Sequence, residues 1–366
     1  MNGDLPYFLG FSAFPGIGPA RFHLLYTYFG TAKAAWEAPL ATLKKIKLGD
    51  KLSEAFDAFR KKTNLDDKLR ELEKHHIAVL AINDPKYPKL LKEIPDAPFL
   101  LYVRGKRGNE PIHLGQTIAV VGTRNVSRYG VEVTQKIVTD LVSVGCTIVS
   151  GMAYGVDAIA HKSALDAGGQ TIAVLGCGVD VIAPPTNTKL YWEIVDSGRG
   201  AIISEMPPGL RPDVGLFPAR NRIISGLSRG VVVTEGAEDS GALITASRAA
   251  EQGREVFAVP GPITSPYSRA PAKLIKNGAK LVETAQDILD ELGIHPTSVL
   301  QGASPHKGAT KVEQQIIDLL QKDRQHVDDI VRVSGLTAAQ VASILTVLEI
   351  RGVVKDYGEK VYGLCN

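Results

Sequence analysis

The middle of the chain alternates short apolar runs with amphipathic stretches. Six runs rich in Val, Ile and Ala lie at 118–121, 147–150, 171–175, 201–204, 230–234 and 255–259. Helical patterns follow the first two runs. Near-continuous apolar strands separated by helices are typical of a parallel sheet that is buried on both faces. The pattern predicts an α/β fold with a Rossmann-like, doubly wound and mostly parallel sheet.

Other patterns flank this sheet. Residues 1–70 indicate a small helical domain of the helix-hairpin-helix or SAM-like type, and two short strands after it place the Rossmann-like domain at 71–291. Residues 292–310 lack periodicity and carry turn residues, which indicates a linker. Residues 311–366 show three helical patterns and a two-stranded ribbon, which predicts a C-terminal winged-helix domain.

Composition is that of a globular protein, with 44% hydrophobic and 22% charged residues. No run reaches the ~18 apolar residues that a membrane-spanning helix needs, and the first residues lack the basic region of a signal peptide. Cys146, Cys177 and Cys365 form no C-x-x-C pair, so the sequence predicts neither a zinc site nor a disulfide framework. We expect a cytoplasmic protein without membrane span, metal or cofactor.

The formal net charge is +3, and no long segment is strongly basic. Residues 1–70 carry 11 Lys and Arg against 7 Asp and Glu, whereas residues 111–291 carry 16 against 18. A nucleic-acid-binding protein often has a basic face. If this chain binds DNA, arginines placed in loops must do it.

The loop after the first parallel strand carries such arginines. Ligands of open parallel sheets bind outside the carboxyl ends of the strands, and here Gly122, Thr123 and Arg124 are followed by Ser127 and Arg128. Glycine allows a close turn, and arginine can bind phosphate oxygens with two donors. The loop is not G-x-G-x-x-G, and no acidic residue closes the second strand. A dinucleotide site is therefore not predicted.

Two further loops place glycine at the start of a helix, with Gly151 and Gly155 after the second strand and Ser240 and Gly241 after the fifth. Backbone N–H groups in such loops favour an anion. Asp157 is interpreted as a helix-capping residue rather than a catalytic one. Together with His161 it supplies too few ligands for a metal site.

A fourth segment combines an aromatic residue with Arg220, Asn221 and Arg222. Phe217 could stack on a nucleobase while the arginines bind phosphates. The alternative places Phe217 in the core and pairs the arginines with Glu205 or Glu235.

In this order, the loops resemble those of the DprA/Smf family of DNA-processing proteins. The matching motifs are closely spaced over about residues 75–291. The matching runs are Val120–Arg124, Ser150–Asp157 with Ala160 and His161, Ala173–Asp180, Ser204–Glu205, Phe217–Leu227, Glu235–Gly236, Ser240–Gly241 and Val259–Gly261. The resemblance implies a non-catalytic protein that binds single-stranded DNA in natural transformation and promotes the loading of RecA.

It also implies which residues contact DNA and how the protein self-associates. The DNA-binding residues carried over are Arg124, Phe217, Arg220, Asn221 and Arg222. A homodimer is expected through residues 266–279. There, Arg269–Ala272 departs from the small-residue turn of the family.

The terminal segments leave alternatives open. The turn Phe14–Arg21 resembles a helix-hairpin-helix, which either contacts phosphates or is a purely structural cap. The third helix of the winged helix has no Lys or Arg before Arg351, so a protein contact is favoured over the DNA major groove.

Two other functions are compatible with parts of the sequence. A nucleotide N-glycosidic hydrolase of the LOG type would carry a Pro-Gly-Gly-x-Gly-Thr-x-x-Glu loop, which residues 236–245 lack, although Glu205 and Glu235 remain candidate carboxylates. A transcription factor that uses the winged helix is the second alternative.

Overall fold

The computed structural model describes residues 3–46, 48–106, 115–213, 215–294, 311–321, 323–350, 353–358 and 360–364. The chain divides into two compact units, residues 1–296 and residues 297–366.

The first unit begins with helices that enclose an aromatic core. These are α1 (Leu5–Ala13), α2 (Pro19–Phe29), α3 (Ala32–Glu37), α4 (Leu40–Lys45), α5 (Asp50–Lys62) and α6 (Leu65–Lys74). Phe11 stacks on Phe56 with ring centroids 5.1 Å apart, and Trp36 packs edge-on against both rings. Polar caps start two of the helices, since Thr31 accepts a hydrogen bond from the N–H of Ala34 and Asn64 from that of Asp66. The predicted N-terminal helical region is confirmed.

A nine-stranded sheet follows. Its strands are β1 (Ala78–Ala81), β2 (Leu100–Arg104), β3 (Gln116–Val121), β4 (Cys146–Ser150), β5 (Thr171–Val174), β6 (Gly200–Ser204), β7 (Gly230–Val233), β8 (Glu255–Ala258) and β9 (Lys280–Leu281). Their order is β1-β2-β6-β5-β4-β3-β7-β8-β9. Strands β3 to β9 pair in parallel, whereas β2 is antiparallel to both of its neighbours. This confirms the mostly parallel sheet.

Helices cover both faces of the sheet. They are α7 (Lys89–Lys92), α8 (Arg128–Ser143), α9 (Val156–Asp166), α10 (Thr188–Asp196), α11 (Leu216–Gly226), α12 (Ala242–Glu251), α13 (Arg269–Lys276) and α14 (Ala285–Leu292). Two 3-10 turns span Pro185–Asn187 and Pro266–Ser268. Alternate residues of β3 face opposite layers, Ile118 and Val120 toward α8, α9 and α14, and Ala119 and Val121 toward α11 and α12.

The strand order reverses between β3 and β7. Parallel α/β sheets bind ligands at such a switch point, outside the carboxyl ends of the strands. The fold therefore brings the loops after β3, β4 and β7 to one edge.

The N-terminal helices and the sheet share one hydrophobic core. Phe22 of α2 stacks on Phe99, just before β2, with centroids 4.1 Å apart, and the hydroxyl of Tyr102 donates to Ser12 at 3.0 Å. The boundary predicted at residue 70 thus separates two parts of one compact unit.

The second unit is a winged helix. It consists of α15 (Lys311–Leu320), β10 (Gln325–His326), α16 (Val327–Ser334), α17 (Ala338–Ile350), β11 (Val354–Asp356) and β12 (Val361–Leu364), with the sheet order β10-β12-β11. Ile316, Ile330 and Leu345 lie in its core. The sequence did not predict β10. Most of the predicted linker, 292–310, lies outside the described residues.

Within the described ranges, no single helix is long and apolar enough to cross a membrane. One bent pair, Val327–Ser334 with Ala338–Glu349, meets the length and composition test together, at an angle of 115°.

Candidate nucleic-acid interface

The loop after β3 is held between two neighbouring loops by its backbone. The N–H of Thr123 donates to the carbonyl of Glu235 at 2.8 Å, and the N–H of Val156 donates to the carbonyl of Thr123 at 3.1 Å. Gly155 has φ +71°, and a Cβ at this position would lie 2.3 Å from the Thr123 oxygen. Only glycine fits this conformation and this close approach. The structure thus brings Gly122, Thr123 and Gly155 together.

Ser127 and Glu235 fix the far end of the same loop. The Ser127 hydroxyl accepts from the N–H of Gly130 at 3.1 Å and donates to the Glu235 carboxylate at 2.6 Å. The N–H of Ser127 donates to the other oxygen of Glu235 at 2.9 Å. Ser127 is therefore the N-cap of α8, and Glu235, which is 2% exposed, holds that cap in place.

Three side chains of the loops after β3 and β4 are exposed: Arg124, Asn125 and Tyr154. Arg128 and Tyr129 are exposed at the start of α8. Arg128 pairs with Glu132 at 3.1 Å, an exposed ion pair that contributes little to stability. Tyr154 is 46% exposed and directly precedes Gly155. Sequence reasoning did not select it, although an aromatic residue between two loop glycines was a signal. The exposed set combines guanidinium groups with an aromatic ring, the side chains that bind phosphates and bases.

Arg220 lies beneath this surface and is 7% exposed. Its Nη1 donates to the carbonyl of Val174 at the end of β5, and its Nε donates to Asn221 at 3.2 Å. A Cβ on Gly151 would lie 2.3 Å from Nη1, so the guanidinium packs directly against the backbone after β4. Arg220 therefore joins the ends of two central strands.

Asp157 belongs to the same buried group. Its carboxylate accepts from the N–H of Ala153 at 3.3 Å. Burial raises the pKa of Asp157, and the charge of Arg220 opposes that rise. Burial likewise lowers the pKa of Arg220, against the charge of Asp157. The carboxylate closes the loop onto α9, but the N-cap of this helix is Gly155 and no side chain caps it. Asp157 lies in the first turn of α9, so the prediction that it caps the helix is wrong.

Arg222 lies further along the edge, beside β6, and is 6% exposed. It forms ion pairs with Glu205 and, at 3.3 Å, with Asp96. Burial raises the pKa of Glu205, while Arg222 lowers it. Arg222 therefore pairs with Glu205, which was one of the alternatives that the sequence left open. Asn221 is also buried, so Arg220, Asn221 and Arg222 all lie inside the protein.

His161 is fully buried, one turn below Asp157 on α9. Its Nδ1 lies 2.6 Å from the Thr171 hydroxyl, which donates to the carbonyl of Ile148 at 3.1 Å. The Thr171 proton is thus used, so Nδ1 carries the imidazole proton. Burial lowers the pKa of His161 to about 3. Across the described ranges, no group of three or more His, Cys, Asp and Glu could hold a metal.

The remaining predicted residues lie in α11 and in the loop after β7. Ser240 accepts a hydrogen bond from the N–H of Ala242 at 3.3 Å, and Gly241 is exposed. The N–H of Gly236 in this loop donates to Tyr267 at 2.6 Å, which ties the loop to the segment before α13. Phe217 falls in the first turn of α11. The predictions for its side chain lie outside the described part of the chain.

The strand order, the switch point with its glycine-built loops and the separate winged helix define a Rossmann-like α/β protein without a dinucleotide fingerprint. Residues 78–293 match the family of DNA recombination-mediator protein A, and residues 302–358 match the DprA winged helix domain. The chain belongs to this family.

Relatives from several bacteria support the assignment. Protein Smf of Synechocystis is 36% identical over 97% of this chain and 97% of its own length. DNA processing protein A of Streptococcus pneumoniae has a crystal structure that aligns at a TM-score of 0.67 and 37% identity, covering 78% of this chain and 96% of that one. A Helicobacter pylori structure, described for its single-stranded DNA binding mode, aligns at a TM-score of 0.52 and 30% identity, over 59% and 95% of the two chains.

Proposed function

We propose that this protein binds single-stranded DNA along the carboxyl edge of its sheet and promotes the loading of RecA onto that DNA. Family membership and the single-stranded DNA binding of the Helicobacter pylori relative support the proposal. The observation that carries it is the loop of Arg124, an exposed arginine on a backbone held from both sides by Glu235 and Val156. A rigid loop presents its side chain to a phosphate at little entropic cost.

We assign different tasks to the exposed and the buried residues. Arg124, Arg128, Asn125 and Tyr154 would contact phosphates and bases. The other predicted residues would shape and support these contacts, with Phe217, Ser240 and Gly241 as further contact positions. The supporting residues are Gly122, Thr123, Ser127, Gly151, Gly155, Arg220, Asn221 and Arg222.

The carboxylates favour a non-catalytic role. Hydrolysis of a glycosidic bond needs a carboxyl group that can reach the reacting atoms. Both oxygens of Glu235 accept hydrogen bonds from Ser127, and Glu205 is paired with Arg222. Each carboxylate is thus committed to a partner within the protein.

We further propose self-association through residues 266–279. The helix α13 exposes Arg269, Lys273 and Lys276. Before it, Ile263 is 88% exposed, an apolar side chain that a partner subunit could cover.

The test is binding of fluorescent oligo-dT and of its duplex counterpart over a salt series, for the wild type and Arg124→Ala. We expect tighter binding of the single strand, weaker binding at higher salt, and a salt slope reduced by about one in the variant. Lys136→Ala is a matched control, since Lys136 is exposed on α8 and pairs with Asp140.

Equal affinity of the wild type and Arg124→Ala would move the DNA site away from this edge. If the wild type binds no single strand but releases free base from a nucleoside monophosphate, the hydrolase alternative replaces the proposal. Sedimentation of the wild type and Ile275→Asp, a half-buried position of α13, tests self-association separately.

A further inference from the structure

A cavity of about 400 Å³ opens between α2 and the ends of β1 and β2. Phe22, Phe99 and Tyr26 form its aromatic wall. The rings of Phe22 and Phe99 are stacked, and Tyr26 lies 5.8 Å from Phe22. A volume of this size is typical of pockets that bind small molecules or parts of larger ligands.

Polar side chains at the cavity are exposed. His23, Asn83 and Lys92 line it together with the aromatic wall. The apolar part can therefore hold a flat ring, while hydrogen-bonding groups and one positive charge remain near solvent. A nucleobase linked to a phosphate has this same division into apolar faces, polar edges and a charged backbone.

The cavity lies at the same edge of the sheet as Arg124. Antiparallel pairing of Ala81 with Leu100 and of Tyr102 with Ser204 places the end of β1 and the start of β2 beside the carboxyl end of β6. Four strand spacings separate β3 from β2 in the sheet. At about 4.8 Å each, they place the cavity roughly 19 Å from the Arg124 loop.

One segment joins the cavity to the interface already described. Ile94, Pro95 and Ala97 line the cavity, whereas Asp96 between them is ion-paired with Arg222. A strand that runs along the edge from Arg124 past Arg222 thus reaches this cavity next.

We propose that the cavity is a base-binding subsite for the same single-stranded DNA, and this rests on the proposed function. A strand stacked at roughly 3.4 Å per nucleotide needs about six nucleotides to cover the distance, and an extended strand needs fewer. Occupation of the cavity should therefore depend on the length of the oligonucleotide.

The experiment measures affinity for oligo-dT from 3 to 15 nucleotides. In the wild type, we expect affinity to rise about fivefold to tenfold at one length step, when a base enters the cavity. Ala97→Phe, which fills the half-buried cavity wall, should remove this step and leave the affinity for the shortest oligonucleotides unchanged.

Two lysines of α7 allow a second pair of variants to be compared without a change in the core. Lys89 and Lys92 are both exposed, and only Lys92 lines the cavity. Lys92→Ala should weaken binding of long oligonucleotides by about threefold, and Lys89→Ala should not. Crosslinking of wild-type protein to an oligonucleotide with one 5-iodouracil, followed by peptide mapping, should label residues 19–26 or 82–99.

The outcomes separate the two proposals. If the wild type binds no single strand, both fail. If it binds but shows the same length profile as Ala97→Phe and no crosslink in these peptides, the subsite is wrong while DNA binding stands. The cavity would then suit an apolar side chain of a protein partner.

Discussion

Two segments at the same sheet edge carry two arginines each, and they use them differently. Between the end of β3 and the first turn of α8, Arg124 and Arg128 are exposed on a backbone fixed by other residues. In α11, Arg220 and Arg222 are buried and pair with Val174, Asn221, Glu205 and Asp96. Among the described residues, only Nη1 of Arg222 lacks a partner within this group. The residue type is the same in both segments, so burial decides which arginines can reach a ligand.

The difference has an energetic cause. A buried guanidinium loses its hydration and is stable only with partners, so its removal leaves those partners unpaired. An exposed guanidinium remains hydrated, and its removal costs the fold little. Variants of the buried arginines should therefore lose stability, whereas variants of the exposed arginines should lose DNA affinity.

The largest expected effect is that of Arg220→Ala on stability. The change empties the space over the ends of β4 and β5 and leaves Asp157 without the charge that opposes its burial. We expect a loss of about 3–5 kcal/mol of unfolding free energy, measured by urea denaturation. Arg128→Ala is the control and should change stability by less than about 0.5 kcal/mol.

The reverse result would contradict this difference between the two segments. If Arg220→Ala keeps its stability and loses DNA affinity, Arg220 contacts DNA directly and α11 must open to expose it.

The next effect concerns the backbone that holds the exposed loop. Gly155→Ala adds a Cβ in a left-handed conformation and against the Thr123 carbonyl. We expect a loss of about 2–3 kcal/mol and weaker single-strand binding, because the Arg124 loop must move. Gly241→Ala is matched to it, since Gly241 has φ −59° and no atom within 4 Å of the added Cβ. Similar stability of the two variants would show that the loop tolerates displacement.

The sequence predicted the fold well because its signals are local. The apolar runs marked β3 to β8 within one or two residues, and the winged helix followed from three helical patterns and a ribbon. The short strands β9 and β10, two residues each, carry too few residues for a pattern. The shared core of the N-terminal helices and the sheet depends on long-range contacts such as Phe22 with Phe99.

The sequence predicted which residue types form the candidate site, but not how deeply each side chain is buried. The loops after β3, β4 and β7 do meet at one edge, as parallel topology requires. Whether an arginine is exposed depends on distant partners, such as Asp96 and Glu205 for Arg222. For the same reason, the sequence did not indicate that Tyr154 is exposed and that Arg220 is buried.

A smaller effect is expected from the buried imidazole of α9. The pKa of His161 is about 3 in the folded protein, below its ordinary 6.5. The unfolded chain therefore binds a proton that the folded protein does not, and this contribution to stability is full above pH 6.5 and is lost as pH falls toward 3.

The measurement compares wild type with His161→Leu by urea denaturation. Between pH 7 and 5.5, the wild type should lose about 1 kcal/mol more than the variant. Parallel pH profiles would indicate that the folded protein also binds a proton at Nε2 of His161, so that burial does not lower the pKa of this imidazole.

The smallest expected effect concerns Tyr154, an exposed residue of the loop after β4. Tyr154→Ala removes an aromatic ring that is 46% exposed, so stability should change by less than about 0.5 kcal/mol. Loss of one stacked base should cost about 1 kcal/mol of binding, or about fivefold in affinity for oligo-dT, while Tyr154→Phe should bind like the wild type. The salt slope should stay unchanged because no charge is lost, in contrast to Arg124→Ala. An altered salt slope in Tyr154→Ala would mean that the tyrosine positions the Arg124 loop rather than a base. Tyr154 would then be an exposed residue that supports the DNA contacts instead of making one.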